Sequence, residues 1–208
     1  IIALHIWAFC IAKDRRKYRN LLHFLLDDGL DPGILAVNVS ARQLQQENFA
    51  DSVKAFLERY GVAPERLELE LTETAFFGTH AVAVRSNVTA LRDLGVSLAL
   101  DDFGTGFSSL MLLKQLRVDA IKIDRSFVKE LGKSSDDEEI VRAIIALGRN
   151  LRLRLVGEGI EDSALADYLH EAGCHYGQGF HYAKPMFEND LRTYLGRAEL
   201  PDPCSASA

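Results

Sequence analysis

Asp101 and Asp102 stand side by side at the end of the apolar run VSLAL, and LALDDFGTGFSSL continues with glycines and serines. Adjacent carboxylates repel unless a cation or hydrogen-bond donors hold them, so three readings compete here: a solvated strand end, a helix cap, or half of a metal site. Polar groups close other apolar runs in the same way: Asn38, Glu70 with Glu73, Lys122 with Asp124, Glu158, and Gln178. Asn38, Glu70, Asp101, Asp102 and Glu158 are hard oxygen donors with no Cys or His cluster beside them, a set that suits Mg²⁺ or Mn²⁺ rather than structural zinc. Lys122 is the lysine among them, and an ammonium there can neutralise a phosphate or hold a water poised for attack. Two metals sharing a carboxylate would account for the aspartate pair, because such a clamp stabilises both the entering and the leaving oxygen of an in-line displacement.

Each residue has a plainer reading when taken singly. Asn38 fits a turn or cap, Glu73 in LTET fits a cap of the helix that follows, and acids at strand ends are common. The joint pattern outweighs these readings, since five acid or amide groups and a lysine on five strands, all at one end, are hard to obtain from solvation alone. His175 and His181, six apart on one expected strand face, resemble a ligand pair only superficially. Trp7 reads as core, and the acidic run at 134–139 reads as a solvated helix start. DFG followed by Gly106 is not the kinase arrangement, because Lys122 comes after it and no glycine-rich phosphate loop precedes it.

The elements that must position these groups are six strand-like runs, GILAVNVS, RLELELTE, VSLALDD, AIKIDRSF, LRLVGEGI and HYGQGFHYA, each followed by a helical pattern or a turn and helix. Helical spacing recurs in Phe49, Val53, Phe56 and Tyr60, and in Ile140, Ile144 and Leu147. Gly61, Gly95 and Gly173 are expected to end helices with positive φ. Strands alternating with helices imply a parallel sheet, and runs read as apolar on both faces imply that helices cover it. An open doubly wound sheet and a closed (β/α)8 TIM-like barrel both fit that pattern; polar groups at every strand's C-terminal end favour the barrel, where those ends share one mouth. Six of eight βα units are counted, and the remaining two strands are expected before Ile1.

The chain of 208 residues is 48% hydrophobic with a formal charge of -6, enough for one α/β core and contrary to broad nucleic-acid binding through a basic face. Cys10, Cys174 and Cys204 are few and odd in number, which fits a reducing compartment. The first twelve residues are too short a run to span a bilayer and are expected to form a buried amphipathic helix.

AVNVSARQLQ, LELELTET, LALDDFGTGFSSL, IKIDRSFV, VGEGIE and GQGFHYAKP together resemble the EAL-domain family of cyclic di-GMP phosphodiesterases. The resemblance implies an EAL domain over 1–198, incomplete at its N-terminus, with a flexible tail at 199–208. It implies that Asn38, Glu70 and Asp101 ligate a first Mg²⁺ or Mn²⁺, and that Asp101 and Asp102 reach a second. Lys122 and Glu158 would hold and activate the attacking water, Glu73 would anchor the loop after Asp102, and Asp124, Glu161 and Gln178 would lie near the metals and substrate. Implied partners are cyclic di-GMP, a second copy through the loop after Asp102, and an upstream sensory or GGDEF domain, but no nucleic-acid polymer. A cytoplasmic location is expected, with any membrane tether outside this chain. The family's naming motif and its metal-binding glutamate are expected before Ile1, while Phe107 and Gly157 replace a usual Tyr and Ala. The competing functions are an inactive receptor for the same nucleotide and, more remotely, a barrel enzyme acting on a carbon acid.

Overall fold

The computed structural model describes residues 33–77, 81–105, 109–186, 190, 191, 193 and 194. The helix expected over the first twelve residues, Trp7, Cys10, Cys204, Phe107 and the tail at 199–208 lie outside the described residues. Six strands form one sheet, β1 (Leu35–Val39), β2 (Leu67–Thr72), β3 (Ser97–Phe103), β4 (Ala120–Ile123), β5 (Arg154–Glu158) and β6 (Tyr176–Gln178), ordered as in the chain and parallel throughout. Between them lie α1 (Ala41–Leu44), α2 (Phe49–Tyr60), α3 (Ala81–Asp93), α4 (Ser109–Leu116), α5 (Arg125–Val128), α6 (Ser135–Asn150) and α7 (Ser163–Ala172). Consecutive parallel strands with intervening helices make a partial TIM-like barrel, with every strand's C-terminal end at one mouth.

Local signals place the ends of these elements. Gly61 and Gly173 close α2 and α7 at φ +61 and +104, and Gly95 follows α3 at φ +94, a region glycine enters without a Cβ clash. Ser134 caps α6 by accepting a hydrogen bond from Asp137 N–H, and Asp136, Asp137 and Glu138 in the first turn suit the positive end of the helix dipole. Asn87, buried on α3, donates to the Leu44 and Gln46 carbonyls and accepts from Ala50 N–H, which pins the turn between α1 and α2.

The two faces of the sheet differ. Leu69 and Leu71 of β2, Leu98 and Leu100 of β3, Ile121 and Ile123 of β4, and Leu155 of β5 join Val84, Val88, Leu91, Val141, Ile144, Ile145 and Leu169 of the helices in one core. Burying each such side chain contributes about 1.5–3 kcal/mol. The other face carries Glu68, Glu70, Asp101, Lys122, Arg154 and Glu158, because alternate residues of a strand point to opposite sides. The strands are therefore not apolar on both faces: the leucines of LELEL meet the helices, and its glutamates line the barrel. Ile140, expected on the core face of α6, is 40% exposed, and Val141 and Ile145 take that place. β6 ends at Gln178, so His175 and His181 do not share a strand face; His181 lies in the following turn, and both are exposed.

Candidate active site

Lys122 organises the mouth. Its Nζ lies 2.8 Å from Glu70 Oε1, 2.9 Å from Asp101 Oδ1 and 2.5 Å from Glu158 Oε1, with the lysine side chain 3% exposed. Three carboxylates from β2, β3 and β5 thus face one ammonium on β4. Burial pushes the ammonium's pKa down, but Glu70, Glu158 and Asp101 override that effect and raise it well above its ordinary value, so Lys122 stays charged.

A β-bulge resolves the aspartate pair. On a regular strand Asp101 and Asp102 would point to opposite faces, but β3 pairs Leu100 with Ile121 and then Phe103 with Ile123, leaving two aspartates opposite the single residue Lys122. Asp102 adopts φ +52, a left-handed conformation that aspartate tolerates better than most side chains. The second carboxylate consequently comes round to the mouth, and Asp101, Asp102 and Glu158 each offer a ligand atom within 4.8 Å of the others. Burial, then repulsion from Asp101 and contact with Asp124, push the Asp102 carboxyl up to about 6. Burial above all pushes Glu158 up to about 7, against the pull of Lys122. Carboxylates raised in this way lack a full countercharge, and their hard oxygens fit a divalent metal ion.

The remaining expected residues fall at different depths. Asn38 is exposed at the end of β1, in register with the buried Glu70. Gln178 pairs in register with Glu158, and its Oε1 is buried without a hydrogen-bond partner. Asp124 caps α5, accepting from Ser126 N–H at 2.8 Å and from the Ser126 hydroxyl; burial raises its pKa, but these bonds outweigh it and bring the carboxyl below its ordinary range. Glu73 begins a 3-10 turn, Glu73–Phe76, and is buried. Glu161 is half exposed and pairs with Lys129 at 2.7 Å, apart from the Lys122 cluster.

Sequence reasoning missed a second polar layer, in which Glu68 accepts from Arg154 Nη2 and from Ser97 Oγ. The alternation in LELEL, which places Glu68 two residues before Glu70 on one face, was the signal that could have found it.

Fold and mouth together define a (β/α) barrel whose chemistry is gathered at the C-terminal ends of its strands, with oxygen donors arranged for a divalent cation. The chain belongs to the EAL domain family, whose model matches residues 15–185. It is 44% identical over 162 residues, 77% of this chain, to the bifunctional diguanylate cyclase/cyclic di-GMP phosphodiesterase MucR of Pseudomonas aeruginosa, of which the match covers 23%. Among solved structures, the EAL domain of Mycobacterium smegmatis DcpA superposes with a TM-score of 0.83 at 38% identity, covering 90% of this chain and 84% of that one. The PaMucR phosphodiesterase in complex with c-di-GMP superposes with a TM-score of 0.78 at 40% identity, covering 84% and 70%. The chain spans about a quarter of the length of the curated relatives it matches. Among the described residues no helix is long and apolar enough to cross a membrane.

Proposed function

We propose that the protein containing this chain is a phosphodiesterase that hydrolyses one 3′,5′-phosphodiester bond of cyclic di-GMP to the linear dinucleotide pGpG. The observation that carries this reading is the convergence of Asp101, Asp102 and Glu158 beside Lys122 at the barrel mouth. Asn38, Glu70, Asp101 and Asp102 would hold Mg²⁺ or Mn²⁺, and bound metal would supply electrostatic stabilisation of charge on the phosphoryl oxygens. Glu158, raised to about 7 by burial, is poised to accept a proton near neutral pH. It takes the proton of the attacking water as the water oxygen bonds to phosphorus; the P–O3′ bond then breaks, the 3′ oxygen takes a proton from solvent to leave as the hydroxyl, and Glu158 returns its proton to solvent. Lys122, permanently charged, orients Glu158 and offsets negative charge that builds beside it. Gln178 and Asp124 would border the nucleotide, Glu73 would steady the loop after Asp102, and Glu161 would act from the rim. That loop would contact a second copy, and an upstream sensory or GGDEF domain would adjoin the barrel.

The test uses the full-length protein with Mn²⁺ and cyclic di-GMP. Glu158→Gln should lower kcat by several powers of ten while nucleotide binding persists, because the amide keeps the shape and removes the base. Tight binding with no hydrolysis by the unsubstituted full-length protein would replace this reading with that of a receptor.

A further inference from the structure

We infer that Ile160 is a positioning residue that holds Glu158 and Gln178 in place across the β5–β6 pair. Each of these two polar residues is flanked by glycines, as Gly157-Glu158-Gly159 and Gly177-Gln178-Gly179, and the strands pair Gly157 with Gly177 and Glu158 with Gln178. Ile160 occupies the space that Gly177 and Gly179 leave, while Leu169 stands closest at Gly157. A Cβ at Gly177 would stand 2.7 Å from Ile160 Cδ1 and 2.9 Å from the Tyr182 hydroxyl, and one at Gly179 would stand 2.0 Å from the Ile160 carbonyl oxygen. A Cβ at Gly157 would stand 2.7 Å from Leu169 Cδ1 and 3.7 Å from Ile160 Cδ1. The backbone of Ile160 closes the arrangement, since its N–H donates to the Gln178 carbonyl at 3.0 Å and its own carbonyl accepts from His181 N–H at 3.0 Å.

The turn that brings Ile160 there is built by Gly159 at φ +69, where an added Cβ would meet Arg125 Cβ at 2.6 Å. One residue, 1% exposed, therefore touches the backbone on both sides of Gln178 and packs behind the strand position beside Glu158. Neither polar side chain has a bulky residue immediately beside it in the chain, and Ile160 supplies a constraint from the next turn, at Gln178 directly and at Glu158 together with Leu169 and Arg125. Residues that orient a reacting group through one intervening contact change activity or metal affinity by about 10- to 100-fold.

The inference rests on the proposed hydrolysis for its kinetic readout, and the experiment separates the two. Ile160→Val in the full-length protein removes only Cδ1, and Leu57→Val on α2, at the other end of the sheet, removes a methylene of similar burial as a control for stability. The expected result is a drop of about tenfold in kcat for cyclic di-GMP hydrolysis by Ile160→Val with KM within about twofold, alongside faster amide exchange at Ile160 and His181, while Leu57→Val keeps kcat at an equal shift in Tm. Equal kinetic loss in both variants, or unchanged kcat in Ile160→Val, overturns the inference. If the unsubstituted protein does not turn over, the proposed hydrolysis fails, and Mn²⁺ affinity decides: weakening of about tenfold in Ile160→Val alone supports the positioning role, and no difference from Leu57→Val overturns it.

Discussion

The barrel's inner face carries buried ions at both ends, and they stand in opposite states of balance. Nearer the strand starts, Glu68 meets Arg154, and Ser97 Oγ lies 2.7 Å from the guanidinium and 3.1 Å from the carboxylate, so one acid faces one base with a hydroxyl between them. At the mouth, Glu70, Asp101 and Glu158 crowd a single Lys122, and Asp102 joins from the bulge. Both clusters are polar and inward, yet only the second has charge left over for a cation or a reaction. Imbalance, rather than burial or acidity, separates a site from a structural ion pair.

The sharpest way to break this contrast is to remove the hub. Lys122→Met should destabilise the metal-free protein by about 3–5 kcal/mol, since three carboxylates then share a buried space without a cation. Added Mn²⁺ should recover part of that loss in thermal melts. A melt indifferent to Mn²⁺ would show that the mouth does not attract divalent ions.

Acidity probes the same surplus. Glu158 near 7 and Asp102 near 6 are raised above their unfolded values, so the metal-free fold holds their protons more tightly than the unfolded chain does. Their contribution is fully present below about pH 4 and is lost as pH rises through 6 to 7, on the order of 2 kcal/mol, with Asp102 adding little because it is partly exposed. Metal-free Tm should therefore fall from pH 5 to pH 8 relative to the Mn²⁺-loaded protein. Parallel profiles with and without metal would contradict this account.

The balanced end should respond differently. Glu68→Gln keeps an acceptor for Ser97 and leaves Arg154, 31% exposed, able to meet water, so a loss of about 1–2 kcal/mol in stability is expected with Mn²⁺ affinity unchanged. A large drop in metal affinity would couple the two ends and dissolve the distinction between them. The smallest expected effect belongs to the bulge: Asp102→Gly should stabilise the metal-free fold by up to about 1 kcal/mol by relieving the left-handed backbone, while weakening Mn²⁺ binding in titration calorimetry. Unchanged Mn²⁺ binding in that variant would remove Asp102 from the ligand set.

What the sequence discloses follows the same division. All six strands, the glycine stops at Gly61, Gly95 and Gly173, and the polar residues at the strand ends were legible, because period, turn chemistry and chain order are local properties. Glu68 escaped because its partner, Arg154, lies 86 residues away, and only the register of the intervening strands brings the two together. The common mouth of Asp101 and Asp102 was legible, but the bulge that creates it was not: adjacency alone puts the pair on opposite faces, and only the two-against-one pairing with Lys122 reverses that. His181 was misplaced on a strand because HYGQGFHYA stays apolar and aromatic past Gln178, where the chain has already turned over Ile160.

The strand order has a kinetic consequence. Among the described residues every hydrogen-bonded strand pair joins consecutive strands, so each of these pairings closes a loop of one βα unit. Loop-closure entropy rises only slowly over such lengths, and short-range pairings of this kind speed folding. The sheet can therefore grow one strand at a time as the polypeptide leaves the ribosome. At each stage its newest strand is an unsatisfied edge, so the hazard of synthesis lies in pauses between units, when that edge waits for the next strand to arrive.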